Sequence, residues 1–381
     1  MSARGNRLGD FSLASGRRAW TRRLFGLIDE TAWNALALEL FTWQATHLPA
    51  YRRLIAGRGI NPRKIESWQD IPAIPQQLFK RTRLFSHPAS RSGVIYETSG
   101  TTTGQPGRQY LLDAGIYRAV AVEGARRVGL FEGQPELFFL VSSPDEAPHS
   151  SLSAMFSFWR KALRQKGNRF QLRKGVLDPA ACRKTLAAAI KQRHPIGLCG
   201  TAFSFVHLID SWAGLSPLPL PRGSWILETG GFKGLSREVA KAGLYGQIAE
   251  VFSVPDDAIW NEYGMSELSS QAYARGASGL HWTPPWARVL VCDPATGREV
   301  AIGRRGLVCW VDLANVDSVL AVQTLDLAER TRGGFRLIGR MVRTEPRGCS
   351  LGAEDLVLRT AALRTAEKLR RKENLPCIPD S

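Results

Sequence analysis

Apolar residues recur at helical spacing in Trp33–Leu48 (W-N-A-L-A-L-E-L-F-T-W-Q-A-T-H-L), which predicts an amphipathic helix. Beyond it the pattern shortens to strand-length runs: Glu136–Ser142 (E-L-F-F-L-V-S), Pro195–Thr201 (P-I-G-L-C-G-T), Trp225–Glu228 and Ala258–Tyr263. Continuous apolar runs of this length suit strands covered on both faces. Val94–Thr98 is a further short strand, and Ile116–Gly129, Asp178–Arg193 and Ser236–Phe252 read as helices between the runs. Strands alternating with helices predict an α/β fold with mostly parallel sheets, in which ligands collect at the carboxyl ends of strands. The segments 98–104 and 262–267 both follow predicted strands and are expected on one edge. In Phe203–Leu208 (F-S-F-V-H-L), His207 sits in an apolar stretch and reads as a core histidine.

The chain of 381 residues is long enough for one large or two medium domains, and 44% hydrophobic against 22% charged residues mark a folded rather than a disordered chain. No apolar run approaches the ~18–20 residues that span a bilayer, and the first residues, M-S-A-R-G-N-R-L-G-D, show no secretory signal. Met1–Ser15 is small, polar and basic, which predicts fraying. The cysteines at 182, 199, 292, 309, 349 and 377 are scattered without C-x-x-C, which points to reduced thiols in a cytoplasmic protein. Neither they nor the dispersed histidines suggest a structural metal. The net charge of +17 includes Arg17, Arg18, Arg22 and Arg23 near the start and Arg364, Lys368, Arg370, Arg371 and Lys372 near the end. It admits an anionic partner surface, or an enzyme whose ligands are anions. No nucleic-acid-binding motif accompanies it.

The richest chemistry lies in Glu97–Tyr110, E-T-S-G-T-T-T-G-Q-P-G-R-Q-Y. Thr98, Ser99, Thr101, Thr102 and Thr103 carry hydroxyls on a stretch bent by Gly100, Gly104 and Gly107. Hydroxyl and backbone donors that approach closely suit phosphate oxygens, although the same residues also build plain surface turns. With Val94–Thr98 before it and Ile116–Gly129 after it, the stretch reads as strand–loop–helix, which sets a helix N-terminus beside the phosphates. It is not a Walker loop.

Two later stretches give this loop company: Asn261–Gln271 (N-E-Y-G-M-S-E-L-S-S-Q) and Gln323–Arg340 (Q-T-L-D-L-A-E-R-T-R-G-G-F-R-L-I-G-R). A Ser/Thr/Gly loop, then Y-G-x-[ST]-E, then T-x-D followed by G-R resembles the ordered signature of acyl-adenylate-forming enzymes. More narrowly, the chain resembles acyl-protein synthetases of the LuxE type, relatives of phenylacetate–CoA ligases, through Ile71–Lys80 (I-P-A-I-P-Q-Q-L-F-K), Gly200–Asp210, Leu227–Gly234 (L-E-T-G-G-F-K-G) and Glu345–Leu351 (E-P-R-G-C-S-L). The resemblance runs from about Trp68 to Leu356. The family's usual S-G-T-T-G-x-P-K departs here by the extra Thr103 and by Gly107 where a lysine often stands, with Arg108 next to it.

The resemblance implies ATP and Mg²⁺ as ligands. It implies that Thr98 to Gly104 hold phosphates, that Gly230 and Gly231 lie against adenine and the acyl carbonyl, and that Tyr263 packs on adenine beside Gly264. Ser266 would donate to the α-phosphate, Glu267 would hold Mg²⁺, Asp326 would accept from the ribose hydroxyls, and Arg340 would contact ribose or phosphate. Lys233, either a solvated lysine or a neutraliser of developing charge, follows the glycine pair. The resemblance further implies three parts: residues 1–67 packing on the core, an α/β domain over 68–340, and a short 341–381 segment without the family's mobile C-terminal domain and its lysine. That absence favours transfer of the acyl group to a cysteine over transfer to CoA. Cys349, flanked by Arg343 and Arg347, and Cys377 are the two acceptor candidates. The implied substrate is a fatty acid or another carboxylic acid, and the implied partner is an acyl reductase. An aryl- or acyl-CoA ligase and a non-catalytic binder of anionic surfaces stand as alternatives.

Overall fold

The computed structural model describes residues 11, 13–27, 29–98, 106–167, 169–230 and 240–341. Ser99, Gly100, Thr101, Thr102, Thr103, Gly104, Gly231, Lys233, Cys349 and Cys377 lie outside these residues.

The chain opens with three helices, α1 (Ala14–Phe25), α2 (Glu30–His47) and α3 (Pro49–Gly57). Asp29 starts α2 by accepting from Ala32 N–H at 2.7 Å, and the apolar stripe expected in Trp33–Leu48 turns Trp33, Leu36, Leu40 and Phe41 inward. The expected fraying does not reach Phe11. That ring is fully buried, edge-on to Trp20 and Trp43 at 5.1 and 4.9 Å, so aromatic packing fixes a stretch that composition marks as polar.

After the short strand β1 (Ile74–Pro75) and the turn of helix α4 (Leu78–Arg81) comes a hairpin, β2 (Val94–Glu97) and β3 (Arg108–Leu111). The expected strand–loop–helix is corrected here. The Gly/Thr segment joins two antiparallel strands, and α5 (Gly115–Arg127) begins only after β3 has returned. Thr98 and Gly107 close the stem, with Thr98 N–H donating to the Gly107 carbonyl at 2.9 Å and Gly107 N–H to Thr98 Oγ1 at 2.8 Å.

The middle of the chain alternates as its pattern predicts: β4 (Glu136–Leu140), α6 (Ser151–Ala162), a small ribbon of β5 (Leu172–Arg173) and β6 (Val176–Leu177), then α7 (Pro179–Ile190), β7 (Ile196–Thr201), α8 (Ala202–Ser211), β8 (Trp225–Thr229), α9 (Lys241–Phe252) and β9 (Ile259–Tyr263). Strands β4, β7, β8 and β9 are parallel neighbours in that order, and β10 (Ala272–Arg275) closes the edge antiparallel to β9. Every residue of β8 is buried, because helices cover both faces. His207 in α8 is exposed, not a core histidine: its neighbours Phe205, Val206 and Leu208 take the inward positions.

The second sheet joins β1, β11 (Ala287–Cys292), β12 (Arg305–Asp312), β13 (Ala321–Thr331) and β14 (Gly334–Arg340). Its pairings are antiparallel except β1 with β13. Its apolar residues and those of α1–α3 form one core that includes Trp33, Phe41, Trp286 and Trp310. The chain is thus α/β, with its parallel order concentrated in the first sheet. No helix among the described residues is long and apolar enough to cross a membrane.

Candidate active site

The turn Gly264–Gln271 leaves the carboxyl end of β9 and returns as β10. Glycine at 264 is required by close approach, since a Cβ there would meet Glu262 Oε1 at 2.5 Å. At the other shared position, Gly230, the backbone leaves β8 with φ +74° and open space where a side chain would stand.

Three side chains named from the sequence meet beside that turn. Tyr263 donates its hydroxyl to Asp326 Oδ2 at 2.8 Å. Asp326 is in register with Arg340 across β13 and β14, and Arg340 Nε stands 3.8 Å from Asp326 Oδ1. Arg340 is mostly exposed, so its remaining donors face outward. Burial raises the Asp326 carboxyl above its ordinary range, while the Tyr263 hydrogen bond and the Arg340 charge pull it back. Burial likewise pushes the Tyr263 phenol well up, reinforced by Asp326.

The two loops meet on one edge. Ser266 Oγ donates to the Glu97 carbonyl at 3.1 Å and lies 3.2 Å from Ser151 Oγ. Thr98, the first residue of the Gly/Thr segment, therefore begins next to the motif serine. Arg108 is paired with Glu97 across the hairpin, Nε to Oε1 at 2.8 Å. Lys80 is the better placed cation. Its side chain packs beside Gly107 and Thr98, and its charge, with that of Arg340, acts on Glu267.

Glu267 is buried, and burial pushes its carboxyl up to about 7 against the pull of Arg340 and Lys80. Burial favours the neutral carboxyl, and a cation beside Glu267 would favour its ionised form. Among the described residues no three His, Cys, Asp or Glu side chains cluster as a metal cage. The site fits a hard cation that takes Glu267 together with phosphate oxygens.

Several residues without a sequence signature hold this site in shape. Asp312, at the end of β12, accepts from Ser269 N–H (2.9 Å), Ser270 N–H (2.8 Å) and Ser270 Oγ (2.7 Å). Asn315 Nδ2 donates to the Glu267 carbonyl at 2.9 Å, and its Oδ1 accepts from Gln109 Nε2 at 2.9 Å, which ties the motif turn to β3. Beneath Tyr263, the His281 Nε2 and Asn261 Oδ1 atoms are 2.7 Å apart, and Asn261 Nδ2 donates to Glu228 Oε2 at 2.7 Å. Burial lowers His281 to about 3 and raises Glu228 to about 7. Glu262, hydrogen-bonded by the Thr229 hydroxyl, is raised by burial to about 7 as well.

No protein-family model matches the chain, and no curated protein matches it. Solved structures do. A 2-hydroxyisobutyryl-CoA ligase in its postadenylation state, bound to 2-HIB-AMP, superposes with a TM-score of 0.64 at 18% identity, covering 82% of this chain and 68% of the ligase. The same ligase with 2-HIB-AMP and CoA in its thioesterification state gives a TM-score of 0.60 at 19% identity, over 88% of this chain and 70% of the ligase. At such identity the likeness bears on architecture. The chain has the fold of the large domain of an acyl-adenylate-forming ligase.

Proposed function

We propose that this chain is an ATP-dependent acid-activating enzyme. The observation that carries the reading is the convergence of Tyr263, Asp326 and Arg340 with the Ser266–Glu97 contact. One group holds a ribose and an adenine ring, the other brings the phosphate loop to the motif serine. A carboxylate oxygen of the substrate attacks the α-phosphorus of ATP, pyrophosphate leaves, and an acyl-AMP forms. The protein contributes position and charge. Asp326 accepts from ribose hydroxyls, Ser266 and the Gly/Thr segment from Thr98 through Ser99, Gly100, Thr101, Thr102 and Thr103 to Gly104 donate to phosphates, and Lys80, Lys233 and Arg340 offset negative charge. Gly230 and Gly231 leave room for the ligand. Glu267 would hold magnesium, which would supply charge neutralisation on the phosphates.

The second half-reaction we assign to a protein thiol, with a fatty acid as substrate. The thiolate attacks the acyl carbonyl, AMP leaves, and a thioester results, which a partner acyl reductase consumes. Cys349 is the acceptor and Cys377 the alternative. The reading rests on the R-G-C-S-L stretch. A CoA thiol is the second reading, favoured by the neighbouring ligase that carries CoA beside 2-HIB-AMP.

Labelled fatty acid with ATP and Mg²⁺, followed by neutral hydroxylamine, separates the readings. Label on the protein that hydroxylamine releases, and that is lost in Cys349→Ser while ATP–pyrophosphate exchange persists, supports the acyl-protein synthetase. Label that reaches only added CoA makes the chain a CoA ligase. Absence of pyrophosphate exchange with every acid tried leaves the anionic-surface binder.

A further inference from the structure

Asp326 stands where two ladders lose register. Between β12 and β13, Leu307 pairs with Leu327 and Cys309 with Gln323, so Val308 alone faces the three residues Thr324, Leu325 and Asp326. Between β13 and β14 the register steps again, since Leu327 pairs with Gly339 but Ala328 with Leu337. A bulge takes backbone groups off the ladder and re-aims the side chains it carries.

One side chain holds this bulge together. Thr324 Oγ1 donates to the Val308 carbonyl at 2.9 Å and accepts from the Asp326 N–H at 3.0 Å. The hydroxyl therefore pins the bulged segment to β12 and fixes the Asp326 backbone at the same time. Val308 is fully buried, so water cannot stand in for the hydroxyl at its carbonyl. Thr324 itself is 1% exposed and out of reach of a ligand. The Asp326 side chain, by contrast, keeps 18% of its surface while it reaches Tyr263 and Arg340. Whatever Thr324 does for the site runs through Asp326.

We propose that Thr324 is a positioning residue for nucleotide binding: its hydroxyl sets the bulge that aims the Asp326 carboxylate at a ribose. The inference deepens the acid-activating function proposed above and rests on it. Thr324→Val exchanges the hydroxyl for a methyl and keeps the branched shape, so the Val308 carbonyl and the Asp326 N–H each lose a partner while the carboxylate stays in the chain. The bulge then loses its tie to β12, and Asp326 its fixed direction. Thr324→Ser keeps both bonds.

Calorimetric titration of the full chain with ATP and with 2′,3′-dideoxy-ATP, which lacks the ribose hydroxyls, tests this, with ATP–pyrophosphate exchange alongside. The wild type should prefer ATP about a hundredfold or more, and Asp326→Ala should lose that preference. In Thr324→Val the preference should shrink about tenfold, and in Thr324→Ser it should be kept, whereas a general loosening of the site would weaken both nucleotides alike. Added to Asp326→Ala, Thr324→Val should change nothing further, because the group it acts through is gone. Thr324→Ala, which removes the same hydroxyl with less bulk, takes its place if circular dichroism shows the valine variant unfolded. A wild-type preference in the hydroxyl-free variant, or a loss that persists in the Asp326→Ala background, overturns the inference and leaves the acid-activating function standing. A wild type that binds neither nucleotide and shows no exchange sinks that function, and the inference with it.

Discussion

Tyr263 and Asp326, 63 residues apart, are joined by one hydrogen bond of 2.8 Å from the phenol to a carboxylate oxygen. Tyr263 ends β9 of the parallel sheet and Asp326 lies mid-way along β13 of the antiparallel one, so the bond crosses between the two sheets. It also orients Asp326, leaving Oδ1 toward Arg340.

Removing either partner should therefore have different consequences. In Tyr263→Phe the ring remains, Asp326 loses its donor, and stability should drop by about 1–2 kcal/mol, with a raised KM for ATP. In Asp326→Ala the proposed ribose contact goes, and kcat/KM for ATP–pyrophosphate exchange should fall about a hundredfold or more. Exchange kinetics with denaturation of both variants separate the effects. An Asp326→Ala variant with unchanged kinetics would remove the aspartate from the proposed site.

Glu267→Gln keeps the size of a buried side chain and deletes its charge. Because Glu267 is held near neutrality by burial, the amide should be tolerated in the fold, with a melting temperature equal to or above that of the wild type at pH 8. Magnesium-dependent exchange should fall about a hundredfold or more, as for removal of a charge-stabilising group. Magnesium titrations of activity in the two proteins read this directly, and an unaltered magnesium requirement would assign the cation to other oxygens.

How much of this was legible in the sequence depends on what each residue does. Tyr263, Ser266 and Glu267 occur as a contiguous motif, and the strands before them announce themselves by unbroken apolar runs, so both the α/β order and the shared edge of the two loops could be read. The hairpin that carries the Gly/Thr segment could not. Arg108–Leu111 is a four-residue strand whose pairing with Val94–Glu97 is decided by contacts across the intervening loop. The clamps were hidden for another reason. Asp312, Asn315 and Asp317 act through backbone groups distant in sequence, although four polar residues (these three and Ser318) inside the apolar run from Leu307 to Val322 were a visible sign of buried hydrogen bonding.

The carboxyls beneath the site predict how stability responds to pH. Glu228 is raised by burial to about 7, against the attraction of Lys241 and hydrogen bonds from Asn261 and Tyr245. Between its unfolded value of about 4.5 and about 7, the folded chain holds a proton that the unfolded chain has released, so this group's contribution falls as pH rises. His281, lowered to about 3, acts in the opposite sense over the range where the unfolded imidazole is protonated. Glu228→Gln removes the carboxyl alone and keeps an acceptor for Asn261 and Tyr245. The stability of the variant minus that of the wild type should increase from pH 5 to pH 7 and then level, by on the order of 1–3 kcal/mol. Denaturant titrations at stepped pH measure it, and a flat difference would mean that Glu228 is ionised in the fold throughout.

The basic N-terminal stretch supplies the last case, because one of its arginines is not a surface charge. Arg17 is 5% exposed and donates to both oxygens of Asp317, which is 1% exposed. Burial pushes the Asp317 carboxyl up, but hydrogen bonds from His87, Arg17 and the Leu112 N–H outweigh it and leave the group below its ordinary value. Its stabilising contribution is therefore present above about pH 4 and is lost as pH falls through the lowered value. Arg17→Ala strands Asp317 in the interior and should cost about 3–5 kcal/mol, whereas Arg18→Ala, one position along on the exposed side of α1, should cost less than about 0.5 kcal/mol. The urea midpoint should shift for Arg17→Ala with the slope unchanged. If the two alanine variants unfold together with the wild type, α1 is held by its aromatic packing alone, through Phe11, Trp20 and Trp43, and the buried pair contributes nothing to anchoring it.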